Sequence, residues 1–201
     1  MSTTPEKISK DSTIPAVKLD GMHDQATAEI QDGQERWVAR AREGDSEAFT
    51  MLCRTHYLLV YRVAYRVCGC REDAQDVAQE TFVKAASAIR YFRGEARFTT
   101  WIYRIAMRTS IDLLRQKRHR WDVSHRLALD QQMAEQAHVS PTDRTVALLG
   151  RLPAKQRAAL ILTVCEGMSH AEAAKVLGCV EATVSWRVHR AKRTLRRWLT
   201  M

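Results

Sequence analysis

The sequence predicts an all-α protein: two small helical domains joined by a flexible linker, the second domain a helix-turn-helix. Three observations lead there. The 201 residues include only 8 Gly and 4 Pro, too few breakers for the turns of an all-β sandwich. Apolar residues recur at spacings of three and four over long stretches, which is the period of a helix face. Two such stretches flank residues 119–142, where the period is lost. The expected organisation is therefore a disordered leader at 1–33, a first domain at 34–118, a linker at 119–142 and a second domain at 143–201.

The leader is polar, contains Pro5 and Pro15, and has no sustained apolar period. Trp37, Val38 and Ala41 predict a short first helix ended by Gly44, with Asp45 or Ser46 capping the next. Phe49, Leu52, Cys53, His56, Val60, Val63 and Val67 form the apolar face of that second, long helix, which Gly69 stops. A third helix runs from about Glu72 to Ile89, with Ala74, Val77, Ala78, Phe82, Ala85 and Ile89 inward. Asp73, Asp76 and Glu80 share another stripe of it, at helical spacing. Residues 92–98 read as a loop, and Thr99 or Thr100 caps a fourth helix that continues to about Arg118. Its core side is Ile102, Ile105, Ala106, Thr109 and Leu113.

In the second domain, Val146 and Leu149 precede Leu152-Pro153, and Pro153 suits the first turn of a helix reaching Glu166. Ser169-His170-Ala171-Glu172 has the form of a capping box. The helix it opens runs to Leu177, Gly178 turns the chain, and a last helix spans about Glu181 to Leu199. Ala174 is small where the two helices cross, and Val184 is the apolar lock between them.

Charge narrows the partners. Lys and Arg total 32 against 23 acids, a formal +9. Three lysines against six acids leave residues 1–33 at −3, so the remainder carries +12. An excess of that size suits a polyanion. The last helix has no acid after Glu181 and holds Arg187, Arg190, Lys192, Arg193, Arg196 and Arg197, with Trp186 and His189 among them. That pattern fits a DNA major groove, the bland alternative being a solvated basic face. The fourth helix carries Trp101, Arg104, Arg108, Arg115 and Arg118 on one side. Cations with nearby aromatics (Tyr91, Phe92, Phe98, Tyr103) suit unpaired bases, although aromatics of a small helical domain are mostly core. The acidic stripe is either a solvated surface or a docking surface for a basic partner.

Other functions find no support in the residues. No stretch approaches the ~18 apolar residues of a membrane span, no basic-then-apolar start marks export, and a cytoplasmic protein without membrane insertion is expected. Cys53, Cys68, Cys70, Cys165 and Cys179 lack framework spacing and read as reduced thiols. No phosphate-cradling Gly loop or HExxH motif is present, so no enzyme activity, metal or cofactor is expected.

The segment from Asp73 to Phe82, then Phe92-Arg93-Gly94, Thr100-Trp101-Ile102-Tyr103-Arg104-Ile105-Ala106 and Asp112-Leu113-Leu114-Arg115, resembles region two of the extracytoplasmic-function (ECF) sigma factors of bacterial RNA polymerase. Leu152 to Arg157, Glu166 to Ser169, Ala173 to Gly178 and Thr183 to Lys192 resemble their region four. The resemblance covers about 45–118 and 144–199, in order. It implies a promoter-recognition subunit that is not itself an enzyme. Asp73, Asp76, Gln79, Glu80 and Phe82 would dock on the clamp helices of the largest polymerase subunit. Phe98, Trp101, Arg104, Arg108 and Arg115 would open and hold the minus-ten element as single strand. Ser185, Trp186, Arg187, His189, Arg190 and Arg193 would read the minus-thirty-five element as duplex. Further implied partners are the flap of the second-largest subunit and an anti-sigma factor. The chain departs from the family pattern at Arg108, where Asn is usual, at Trp186, where a small Ser is usual, and at Ser185, where Lys or Arg is common.

Two other readings stand beside this one. A helix-turn-helix regulator would bind duplex DNA without polymerase, and a sigma mimic would titrate an anti-sigma factor without directing transcription.

Overall fold

The computed structural model describes residues 33–124 and 141–199, and all regular structure among them is helical. The expected leader, apart from its last residue, and residues 125–140 of the expected linker lie outside the described residues.

Helix α1 covers 33–42 and buries Val38 and Ala41. Asp45 caps α2 (Ser46–Cys68) by accepting from the amides of Glu47 at 2.9 Å and Ala48 at 3.0 Å. Those donors have no partner inside the helix, so the carboxylate satisfies them and stays charged: its pKa is lowered, first by the Ala48 amide. The buried face of α2 is Ala48, Leu52, His56, Val60, Val63, Ala64 and Val67, close to the predicted one. Gly69 ends α2 in the left-handed region at φ 93°, where a side chain would be strained. Helix α3 (Arg71–Ala88) continues as a 3₁₀ turn (Ile89–Tyr91). Its six predicted core residues are all buried.

Helix α4 (Phe98–Ser124) differs from expectation at both ends. It begins at Phe98, so Thr99 and Thr100 lie inside it and neither caps it. The Trp101 amide bonds to the Arg97 carbonyl instead, at 3.1 Å. Phe98 is buried in an aromatic cluster with His56, Phe92 and Trp101, ring centroids 5.2–6.1 Å apart, and this anchors the first turn early. The far end passes Arg118 because Gln, Lys and Arg are good helix formers even where the apolar period fades.

Helix α5 (Pro141–Gly150) leads to α6 (Ala154–Leu160), whose last turn widens to a π turn over Ile161–Cys165. Pro153 precedes α6 in an extended conformation rather than opening its first turn. The capping box before α7 (His170–Leu177) is present: Ser169 Oγ accepts from the Glu172 amide, and Glu172 accepts from the Ser169 amide at 2.8 Å. Gly178 turns the chain at φ 62°, and α8 spans Glu181–Leu199. Ala174 and Val184 are buried at the crossing of α7 and α8, as the helix-turn-helix reading requires.

One apolar cluster joins the early and late helices. Val63, Val67, Tyr103 and Met107 share it with Leu152, Ile161, Leu162, Val184 and their neighbours. A second cluster lies within the first four helices, around Leu52, Val60, Phe82 and Ile102. Polar contacts reinforce the joint. Glu166 accepts from the Tyr103 hydroxyl at 2.6 Å and pairs with Arg66. Arg157, buried, donates to the carbonyls of Val67, Gly150 and Leu152. Arg104 Nε donates to the Lys175 carbonyl at 3.1 Å.

Candidate nucleic-acid interface

The basic face of α8 follows from its burial pattern. Val184, Val188 and Ala191 are buried against the other helices. Trp186, His189, Arg190 and Arg193 are exposed and recur at three, four and seven residues, so they form one stripe opposite the buried face. Arg190, Arg193 and Arg197 border a shallow cavity of about 320 Å³ in which their charges converge. The Arg190 guanidinium lies over the Trp186 ring, 5.6 Å from its centroid. Two of the six residues expected to read the duplex are engaged elsewhere. Ser185 Oγ is 2.7 Å from His170 Nδ1, and Arg187 donates to Cys179 Sγ at 3.5 Å. Both are half-buried.

On α4, Arg104, Arg108 and Arg115 are exposed and Trp101 is half-buried. Phe98 is not on this surface: it is 3% exposed within the aromatic cluster. Phe92 and Tyr103 are also core, while Tyr91 is 69% exposed with Arg90 over its ring. Packing explains this placement, since burying the Phe98 ring against His56, Phe92 and Trp101 removes its apolar surface from water.

The acidic stripe of α3 divides. Asp76, Gln79 and Glu80 are exposed. Asp73 is buried and paired with Lys117 Nζ at 2.6 Å, tying α3 to α4. That bond raises the Lys117 pKa. Phe82 is core. The Asp73–Lys117 pair leaves no local signal in the sequence, because its partners are 44 residues apart. The structure adds Val83, 64% exposed beside Gln79 and Glu80, and Asp112 from α4. With Asp76 and Glu80, Asp112 lines a groove of about 230 Å³. Lys84 partly offsets that charge, pairing with Glu80 at 3.1 Å.

The five cysteines are unpaired thiols. Burial pushes Cys68 up to about 12, leaving it a poor nucleophile at neutral pH. Among the described residues no cluster of His, Cys, Asp and Glu is placed to hold a metal ion, and no helix is long and apolar enough to cross a membrane.

Comparison with known proteins fits this arrangement of an acidic face, a basic helix and a helix-turn-helix. The Sigma-70 region 2 family matches residues 52–120, and Sigma-70, region 4 matches residues 142–195. The chain is 31% identical to the RNA polymerase sigma-H factor of Pseudomonas aeruginosa, over 82% of this chain and 93% of that one. It is 31% identical to the ECF RNA polymerase sigma factor SigM of Mycobacterium tuberculosis, over 92% and 90%. Among solved structures it is similar to CnrH in complex with the cytosolic domain of CnrY, with TM-score 0.63 and 28% identity over 84% of this chain and 97% of that one.

Proposed function

Since the chain belongs to the ECF sigma factors of RNA polymerase, we propose that it binds core polymerase through α3, holds the minus-ten element on α4 and reads the minus-thirty-five element with α8. The observation that carries this reading is the match of both sigma regions, in order, on one chain. Asp76, Gln79, Glu80 and Val83 are the docking face, and their chemistry asks for a basic partner surface with an apolar centre. Trp101, Arg104, Arg108 and Arg115 supply one stacking ring and three cations, which suits a strand whose bases have left the duplex. The α8 stripe supplies phosphate-seeking cations and base-reading side chains to a groove. Residues 34–118 and 143–201 act as the two promoter-binding domains. The chain performs no catalysis of its own, and it works in the cytoplasm with polymerase. CnrH is bound by the cytosolic domain of CnrY, and an anti-sigma factor is the expected regulator here. A helix-turn-helix regulator with residues 34–118 as a dimerisation or sensor domain would not account for the match of residues 52–120 to Sigma-70 region 2.

The test is run-off transcription with purified bacterial core polymerase, this chain and a library of random promoters. Specific initiation is expected, and the enriched sequences give both promoter elements. The absence of both initiation and binding to core would refute the reading.

A further inference from the structure

The side chains of α8 divide between holding the helix and reading DNA, and the division is not the one the sequence suggests. We infer that Trp186, with Arg190 laid on its ring, selects the bases of the minus-thirty-five element, while Ser185 and His170 form a strut that sets the helix and reads none. This deepens the promoter-reading role proposed above and rests on it.

The strut follows from contacts. His170 is the first residue of α7, and the capping box fixes that end of the helix. Its Nδ1 lies 2.7 Å from Ser185 Oγ on α8. A hydroxyl spent on a neighbouring helix, on a half-buried side chain, is turned away from base edges. Arg187 is drawn back in the same way by Cys179 in the turn. Ser185 and Arg187 flank the stripe on either side, roughly 100° of helix away from Trp186 in each direction.

The reading pair follows from exposure and geometry. Trp186 is 57% exposed, the first residue of the stripe and in the N-terminal half of the recognition helix, the part that meets base edges in helix-turn-helix proteins. The Arg190 guanidinium, 5.6 Å from the indole centroid, is held by attraction to the ring face. An arginine held in one orientation loses less freedom when its fork meets O6 and N7 of a guanine. The indole offers an apolar edge to a thymine methyl and one N–H donor to a base acceptor. The expected preference is a guanine under Arg190 with a thymine beside it.

The experiment uses the holoenzyme, core polymerase with the full chain, selecting from a library randomised only at the minus-thirty-five element. Trp186→Ala should lose about tenfold or more of the base discrimination at one or two adjacent positions, with unchanged circular dichroism. Trp186→Phe, which keeps a ring face but no N–H, should retain the guanine preference. Ser185→Ala and His170→Ala should weaken binding to all sequences alike and keep the wild-type preference. The double variant should be no worse than either single one, because one interaction is lost in each case. His170→Asn, whose amide nitrogen falls near the place of Nδ1, should restore binding. An unchanged preference in Trp186→Ala, or a shifted one in Ser185→Ala, overturns the inference. Failure of the wild-type holoenzyme to initiate from any promoter refutes instead the sigma reading on which it stands.

Discussion

His56 shows how a single residue can tie stability to pH. The periodicity placed it on the inward face of α2, and it is buried there against the Phe98 ring. Its Nε2 has no hydrogen-bond partner among the described residues. Burial disfavours the charged imidazolium and lowers the pKa below 6.5. The unfolded chain therefore binds the proton more readily than the folded one, and stability rises with pH between the two pKa values. It should be full above about pH 6.5 and fall on acidification, by at most about 1.4 kcal/mol per pH unit. Urea unfolding at pH 7.5 and 5.5 measures this, and His56→Leu should flatten the difference. An equal acid loss in His56→Leu would assign it to other groups. Asp73 shows the opposite case for legibility. Its spacing from Asp76 and Glu80 is helical, so sequence alone groups the three. Only the approach of Lys117 from another helix withdraws it from the surface.

At the scale of elements, the sequence foretold the helices better than their neighbours. Helix α8 spans the predicted residues, and the capping box and Gly178 define α7, because caps and breakers act locally. Helix α4 was legible on one face only. Ile102 and Ala106 were expected inward, but Tyr103, Met107 and Ser110 are buried as well. The helix is packed on one side by α2 and α3 and on another by α7. A second buried face breaks the simple amphipathic pattern, so a reading of one apolar stripe leaves Tyr103, Met107 and Ser110 out of the core. Helix α3, in contrast, keeps one face exposed, carrying Asp76, Gln79, Glu80 and Val83. Asp76→Ala with Glu80→Ala should therefore leave the helical content and melting temperature nearly unchanged. Affinity for core polymerase should fall by about tenfold or more if both carboxylates meet basic groups in a desolvated interface. Fluorescence titration of labelled chain with core reads this directly. Unchanged affinity would remove α3 from the docking surface.

The whole molecule presents a problem of reach. The described residues from Trp37 onward form one compact unit, and about 150 residues packed this way have a radius of gyration of roughly 15 Å, some 40 Å across. Promoter elements named for positions ten and thirty-five lie about 25 base pairs apart, roughly 85 Å along the duplex at 3.4 Å per step. A body of this size reaches one element at a time, so engaging both requires α7 to part from α4. Parting breaks the Arg104–Lys175 contact and frees Glu166 from Tyr103 and Arg66. It also uncovers Tyr103 and Met107, whose shared cluster with the late helices opposes the motion. Glu166 is thus the polar centre of the joint. Glu166→Gln keeps its shape and removes its charge, and should cost about 1–3 kcal/mol, or roughly 2–4 °C of melting temperature per kcal/mol. Labels on α4 and α8 should separate by tens of ångströms when core and promoter are added, and the variant should separate at lower core concentration. A label distance that stays fixed on promoter binding would mean that the joint holds and that the elements are reached by bending the DNA instead.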